Sequence, residues 1–231
     1  VPLLEISNVY RKIAHAAMRA GRHPGDIKLI AVTKGVSPGR IMEAVNAGQR
    51  IFGESRVQEA DKKISNLKSQ ISDTEIEWHM IGHLQRNKAK EAVRLFDLIH
   101  SIDSLRLMEA LNKEAGRAGK AQRVLVEVKL STEEAKHGIE KDELMALIKA
   151  GEGMENIKID GLMTIPPYSD KPEDARPYYG ELRELRDSLD KDGYSLPELS
   201  MGMTADFEVA IEEGSTMVRV GTAIFGEREK E

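Results

Sequence analysis

From residue 27 onward, short β-branched apolar runs alternate with longer stretches whose apolar residues recur at three- and four-residue steps. A strand followed each time by a helix rather than a tight turn pairs in parallel, since only such a crossover returns the chain to the same end of a sheet. Eight runs are visible: 27–34 (IKLIAVTK), 50–53 (RIFG), 77–82 (EWHMIG), 98–102 (LIHSI), 123–130 (RVLVEVKL), 159–165 (IDGLMTI), 198–203 (ELSMGM) and 217–225 (MVRVGTAIF). Helical periodicity covers 38–47, 84–95, 104–118, 142–150, 173–189 and 205–212, and a further helix over 3–20 precedes the first strand, seven in all. Ser37 and Pro38 offer an N-cap and first-turn proline to the helix over 38–47, and Gly48 is placed to end it. This pattern predicts an α/β fold, a single (β/α)8 TIM barrel with an extra N-terminal helix; a doubly wound open sheet is the runner-up.

A length of 231 residues fits one domain over 1–231, and no repeat, low-complexity tract or Pro/Gly-rich linker divides it. The net charge of −5 argues against a general affinity for nucleic acid or anionic lipid. Cysteine is absent, which excludes disulfides, thiolate catalysis and Cys-ligated metal, and a cytoplasmic location is expected. No apolar run approaches the roughly 20 residues that cross a bilayer, and no signal-peptide pattern opens the chain, so no membrane association is expected.

A barrel of this kind collects its functional groups at the carboxyl ends of the strands. Lys34 closes the first run. Its amine there can attack a carbonyl to form a Schiff base; a lysine snorkelling from a strand end fits the same residues. In the last run alternation puts Arg219, Gly221 and Ala223 on one face. Gly221 and Thr222 suit a phosphate, and Arg219 needs an acceptor, either a ligand ring nitrogen or carboxylate or a buried structural ion pair. Ser200, Gly202 and Thr204 end the seventh run at a helix start, which suits an anion or, more simply, an N-cap by Thr204. His79 and His83 flank a change from strand to loop, which breaks the i,i+4 geometry of helical zinc ligands, so no metal site is expected. Gly53, Glu54, Ser55 and Arg56 direct polar groups at the same mouth, as do Lys129 and Lys136, and a Pro-rich loop over 166–172 follows the sixth run.

The motifs AVTK, FGES-x-VQEA, WHMIGHLQRNK, SIDS, GLMTIPP, LSMGMTADFEVAI and VRVGTAIFG occur in order over nearly the whole chain. On these residues the chain resembles the pyridoxal 5′-phosphate homeostasis protein family. The resemblance implies a fold-type III PLP-binding barrel, like the N-terminal domain of alanine racemase, that holds pyridoxal 5′-phosphate (PLP, a vitamin B6 form) as a Schiff base on Lys34. It implies a cofactor-binding set of Lys34, Ser55, His79, Ser200, Met201, Thr204, Arg219, Gly221 and Thr222. Within that set Arg219 lies near the pyridine nitrogen, while Ser200, Thr204, Gly221 and Thr222 surround the phosphate. Two positions depart from the family's usual residues: Ser55 stands where Asn is common, and Thr204 where Ser is common. A permanent cation beside the pyridine nitrogen disfavours its protonation, so the ring is a weak electron sink.

The function so implied is intracellular PLP homeostasis, in which the cofactor is buffered, carried or delivered to apo-PLP enzymes with little or no catalysis and no catalytic residue. The alternative is a PLP-dependent, racemase-like enzyme whose second base is His79, His83, Tyr168 or a residue of a partner subunit. A third reading is a barrel for a phosphorylated metabolite in which Lys34 serves only as a charge. Five residues follow the last motif, too few for the second domain of a racemase. A monomer or weak homodimer is expected.

Overall fold

Eight strands, β1 (Lys28–Val32), β2 (Ile51–Glu54), β3 (Glu77–Met80), β4 (Leu98–Ile102), β5 (Gln122–Glu127), β6 (Ile157–Met163), β7 (Glu198–Met203) and β8 (Met217–Val220), close into a barrel. Every neighbour is parallel, and β8 returns to pair with β1. This is a computed structural model, and it describes residues 2–68, 70, 75–131 and 137–227. Helices α1 (Pro2–Arg19), α2 (Pro38–Asn46), α3 (Val57–Lys68), α4 (Ala89–Leu95), α5 (Leu105–Arg117), α6 (Lys141–Glu152), α7 (Arg176–Lys191), α8 (Phe207–Glu212) and α9 (Thr222–Phe225) accompany the strands. The α/β barrel with an N-terminal helix is therefore the fold, and the open sheet is set aside.

Two-residue alternation along the strands builds two separate cores. Ile30, Leu98, Leu125, Met163 and Met217 meet one another inside the barrel as an apolar plug. Their neighbours in sequence, among them Leu29, Ala31, Ile99, Val124, Val126, Leu162 and Val218, face outward into the larger core under the helices. Helix α1 buries Ile6, Val9, Ile13, Ala16 and Ala17, one stripe at helical spacing, and packs on α2, α8 and α9. Among the described residues no helix is long and apolar enough to cross a membrane.

Several boundaries differ from expectation in ways that bear on the site. Strand β1 ends at Val32, so Lys34 stands in a turn beyond it rather than on the strand. Strand β8 ends at Val220, and the amide of Phe225 donates to the carbonyl of Gly221 (2.9 Å), so GTAIF turns into a helix. The expected common face of Arg219, Gly221 and Ala223 therefore ends at Arg219. Short apolar runs of this kind fit strand and helix alike. The helix expected over 84–95 begins instead at Ala89, after a single 3₁₀ turn at Arg86–Lys88. Helix α3, absent from the sequence reading, carries Val57, Ala60, Ile64 and Leu67 on its buried face among many charged residues.

Candidate functional site

Lys34 occupies the second position of a four-residue turn closed by the amide of Val36 donating to the carbonyl of Thr33 (2.9 Å). Gly35 holds the third position at φ +72°, the left-handed geometry such a turn requires. The Lys34 side chain is half-buried and makes no hydrogen bond or ion pair to any described residue. Lys129, by contrast, is paired with Glu140 (3.1 Å), and Lys136 lies outside the described residues.

Both flanks of Lys34 are clamped from behind the strand. Lys63 of α3 donates to the Thr33 carbonyl (2.5 Å), to Glu54 Oε1 (2.7 Å) and to Glu59 Oε1 (2.6 Å). Thr33 Oγ1 donates to the same Glu54 oxygen (2.5 Å), and the Gly35 amide donates to Glu59 (2.7 Å). Glu54, expected at the mouth, is thus turned outward under α3, where it is fully buried. Burial pushes its carboxyl up from the usual range, opposed by hydrogen bonds from Lys63 and Thr33. Lys63 and Glu59 escaped the sequence reading; the signal was a lysine on the apolar stripe of a helix with a glutamate four residues before it.

Arg219 is 4% exposed inside the barrel. It donates to Ser200 Oγ (2.5 Å) and to the carbonyl of Thr164 (3.0 Å), and no carboxylate among the described residues accepts from it. Ser200 Oγ is 2.8 Å from His100 Nδ1, and His100 Nε2 is 3.0 Å from His79 Nδ1. His79 Nε2 lies 3.3 Å from Glu77 Oε2. Burial, above all, pushes the pKa of both imidazoles down, so they are neutral at pH 7. Among the described residues, His79 is therefore linked to Arg219 through His100 and Ser200. His100, not singled out in the sequence, is the residue that joins them; its signal was a histidine in the apolar strand LIHSI.

The ends of β7 and β8 come together where the Gly221 amide donates to Thr204 Oγ1 (3.3 Å), with Thr222 exposed at the start of α9. A Cβ at Gly221 would make only ordinary contact with Val32, so steric need for glycine does not arise there. The side chain of Met201 faces the outer core, and its carbonyl accepts from Ser215 Oγ (2.8 Å). Ser55 follows β2; its carbonyl would lie 2.5 Å from a Cβ at Gly82, which explains the glycine after β3. Tyr168 is 87% exposed and bonds Asp170 (2.8 Å), away from the buried chain.

His83, Asp103 and His137 offer ligand atoms within 4.8 Å of one another. The two imidazoles, however, are stacked with centroids 3.8 Å apart and planes 12° apart. In-plane lone pairs of parallel rings do not converge on one ion at the roughly 2.0 Å of a metal–nitrogen bond, and His83 Nδ1 is already paired with Asp103 (3.2 Å).

Glu127 ends β5 almost fully buried, and its carboxyl is pushed up to about 7 by burial first, with Arg219 opposing and Asp103 adding to the shift. The folded protein thus binds this proton more tightly than the unfolded chain, whose carboxyl titrates near 4.5. The associated stability is full below that lower value and is lost as pH rises through about 7. Glu127→Gln is expected to flatten the decline in unfolding midpoint from about pH 5 to about pH 8. Parallel curves for variant and parent would assign the decline to another group.

The alanine racemase N-terminal domain model matches residues 7–229. The pyridoxal phosphate homeostasis protein of Aquifex aeolicus is 47% identical over 224 residues, 96% of each chain. That of Escherichia coli K12 is 40% identical over 228 residues, 97% of this chain and 95% of its own. Among solved structures, PipY of Synechococcus elongatus with PLP bound superposes with a TM-score of 0.82 at 38% identity, covering 93% of this chain and all of PipY. An alanine racemase of Clostridium difficile, 15% identical with a TM-score of 0.72, shares the fold over 96% of this chain and 56% of its own. The chain belongs to the pyridoxal phosphate homeostasis protein family, built on the alanine racemase N-terminal barrel.

Proposed function

We propose that this protein binds PLP through Lys34 at the carboxyl end of the barrel and serves intracellular PLP homeostasis, buffering the cofactor and delivering it to apo-PLP enzymes. In this reading it is cytoplasmic, acts as a monomer or weak homodimer and has little or no catalytic activity. The observation that carries the proposal is Lys34 itself, a half-buried amine without a partner among the described residues, on a turn clamped at both flanks. PLP supplies an aldehyde that condenses with an amine, a pyridine nitrogen and a phosphate.

The donor set fits all three groups. Lys34 takes the aldehyde carbon. Arg219 retains N–H donors beyond those given to Ser200 and Thr164, and one of these suits a pyridine nitrogen. Thr204, Gly221 and Thr222, side by side at the ends of β7 and β8, offer the hydroxyls of Thr204 and Thr222 and the first backbone amide of α9 to the phosphate, with the Gly221 amide holding Thr204 Oγ1 in place. Ser55 stands at the rim after β2. Ser200 and, more remotely, His79 hold Arg219 from below, while Met201 contributes backbone alone. An arginine at the pyridine nitrogen keeps that nitrogen unprotonated, which favours holding the cofactor over stabilising a carbanion.

The experiment is borohydride reduction of the protein incubated with PLP, followed by peptide mass mapping. A yellow protein with a pyridoxyl group on Lys34 is the expected result. Label on Lys129 or Lys136 instead, or no label at all, overturns the proposal, and the latter result with retained phosphate-ligand affinity favours a barrel for phosphorylated metabolites.

A further inference from the structure

A continuous line of hydrogen bonds crosses the barrel interior beside its apolar plug: Arg219 to Ser200 (2.5 Å), Ser200 to His100 (2.8 Å), His100 to His79 (3.0 Å) and His79 to Glu77 (3.3 Å). Ser200, His100 and His79 are at most 1% exposed, whereas the Glu77 side chain is half-exposed at the amino end of β3. The direction of every link follows from donor chemistry. A carboxylate only accepts, so His79 Nε2 carries a proton and donates to Glu77. A neutral His79 then has a bare Nδ1, which must accept from His100 Nε2–H. His100 Nδ1 is bare in turn and accepts the hydroxyl proton of Ser200, whose oxygen faces the obligate donor Arg219.

We infer that Glu77 is the remote anchor of Arg219, acting through His79, His100 and Ser200 as positioning residues that orient the guanidinium from the opposite end of the barrel. Each bond in such a line polarises the next, so the acceptor strength of the exposed carboxylate is felt at the buried Ser200 oxygen. That compensates a buried cation with no carboxylate of its own among its described hydrogen-bond partners. The other charges near the line are Lys28 and Arg123, which act on Glu77, Asp97, which acts on His79, and Glu127 and Asp206, which act on Arg219. Asp97 makes no hydrogen bond to either imidazole, so Glu77 is the carboxylate that accepts from the line. Neither lysine nor arginine can replace Glu77 as an acceptor. The effect on cofactor rests on the function proposed above; the order of protons does not.

Two measurements separate these parts. Long-range ¹H–¹⁵N spectra of the cofactor-free protein at neutral pH are expected to show His79 and His100 each with one proton, on Nε2. A proton on Nδ1 of either ring, or a doubly protonated ring, overturns the ordered line. Glu77→Leu, far from the mouth and exposed, is expected to weaken PLP binding roughly tenfold, an ordinary coupling between distant sites. Glu77→Gln, whose amide oxygen still accepts from His79, is expected to recover most of that loss. Unchanged PLP affinity in Glu77→Leu overturns the anchor role. A parent protein that takes up no PLP sinks the functional reading instead, and the spectra alone then decide the proton order.

Discussion

Lys34→Ala is expected to abolish the borohydride-reducible PLP adduct outright while leaving the unfolding free energy within about 0.5 kcal/mol of the parent. The two halves of this expectation come from the same geometry. Lys34 makes no bond to a described residue, so its removal leaves none of the described residues unpaired. The turn itself depends on Gly35 and on the backbone groups of Thr33 and Val36, none of which the substitution touches. Absorbance, peptide mapping and denaturant unfolding of one preparation check both halves together. An adduct that persists on the variant removes Lys34 from the site; a large loss of stability shows that the side chain has a structural partner.

Lys63→Met is expected to cost roughly 3–5 kcal/mol at neutral pH, the usual consequence of leaving a buried charge without its partner. Glu54 is fully buried, and one of its carboxylate oxygens already lacks a hydrogen-bond partner. Without Lys63 the carboxyl loses its principal stabiliser and takes up a proton more readily. The folded pKa, already raised by burial, rises further. The deficit is therefore small below the unfolded value of 4.5 and grows as pH rises through the folded value. A second change, Glu54→Gln, is expected to restore part of the loss, since it removes the stranded charge. Adduct yield on Lys34 is expected to fall as well, because the Thr33 carbonyl loses its donor from Lys63. A loss below about 1 kcal/mol, or one independent of pH, rules out a buried-charge origin.

The alternation of strands and helices was legible along nearly the whole chain because parallel pairing imposes a local rhythm on composition. Where it failed, the cause was local degeneracy. VGTAIF serves a strand or a helical turn equally, and α3 hides four apolar residues in a charged stretch. The candidate residues fared differently. Lys34 and Arg219 were conspicuous as lone cations closing or interrupting apolar runs. His100, Lys63 and Glu59 were not, since a histidine in a strand or a lysine on a helix has an ordinary explanation until its partner is known.

Periodicity and motif order alone determined the eight-stranded barrel and the preceding helix, and singled out Lys34, Thr204, Arg219 and Thr222 in or just beyond β1, β7 and β8. Tertiary structure decided which side chains meet: that Ser200 supports Arg219 from below, that Glu54 turns away from the mouth to Lys63, and that a line of neutral imidazoles reaches Glu77. Local spacing specifies the face on which a side chain lies, whereas partners separated by dozens of residues are chosen only when strand register and closure bring those faces together.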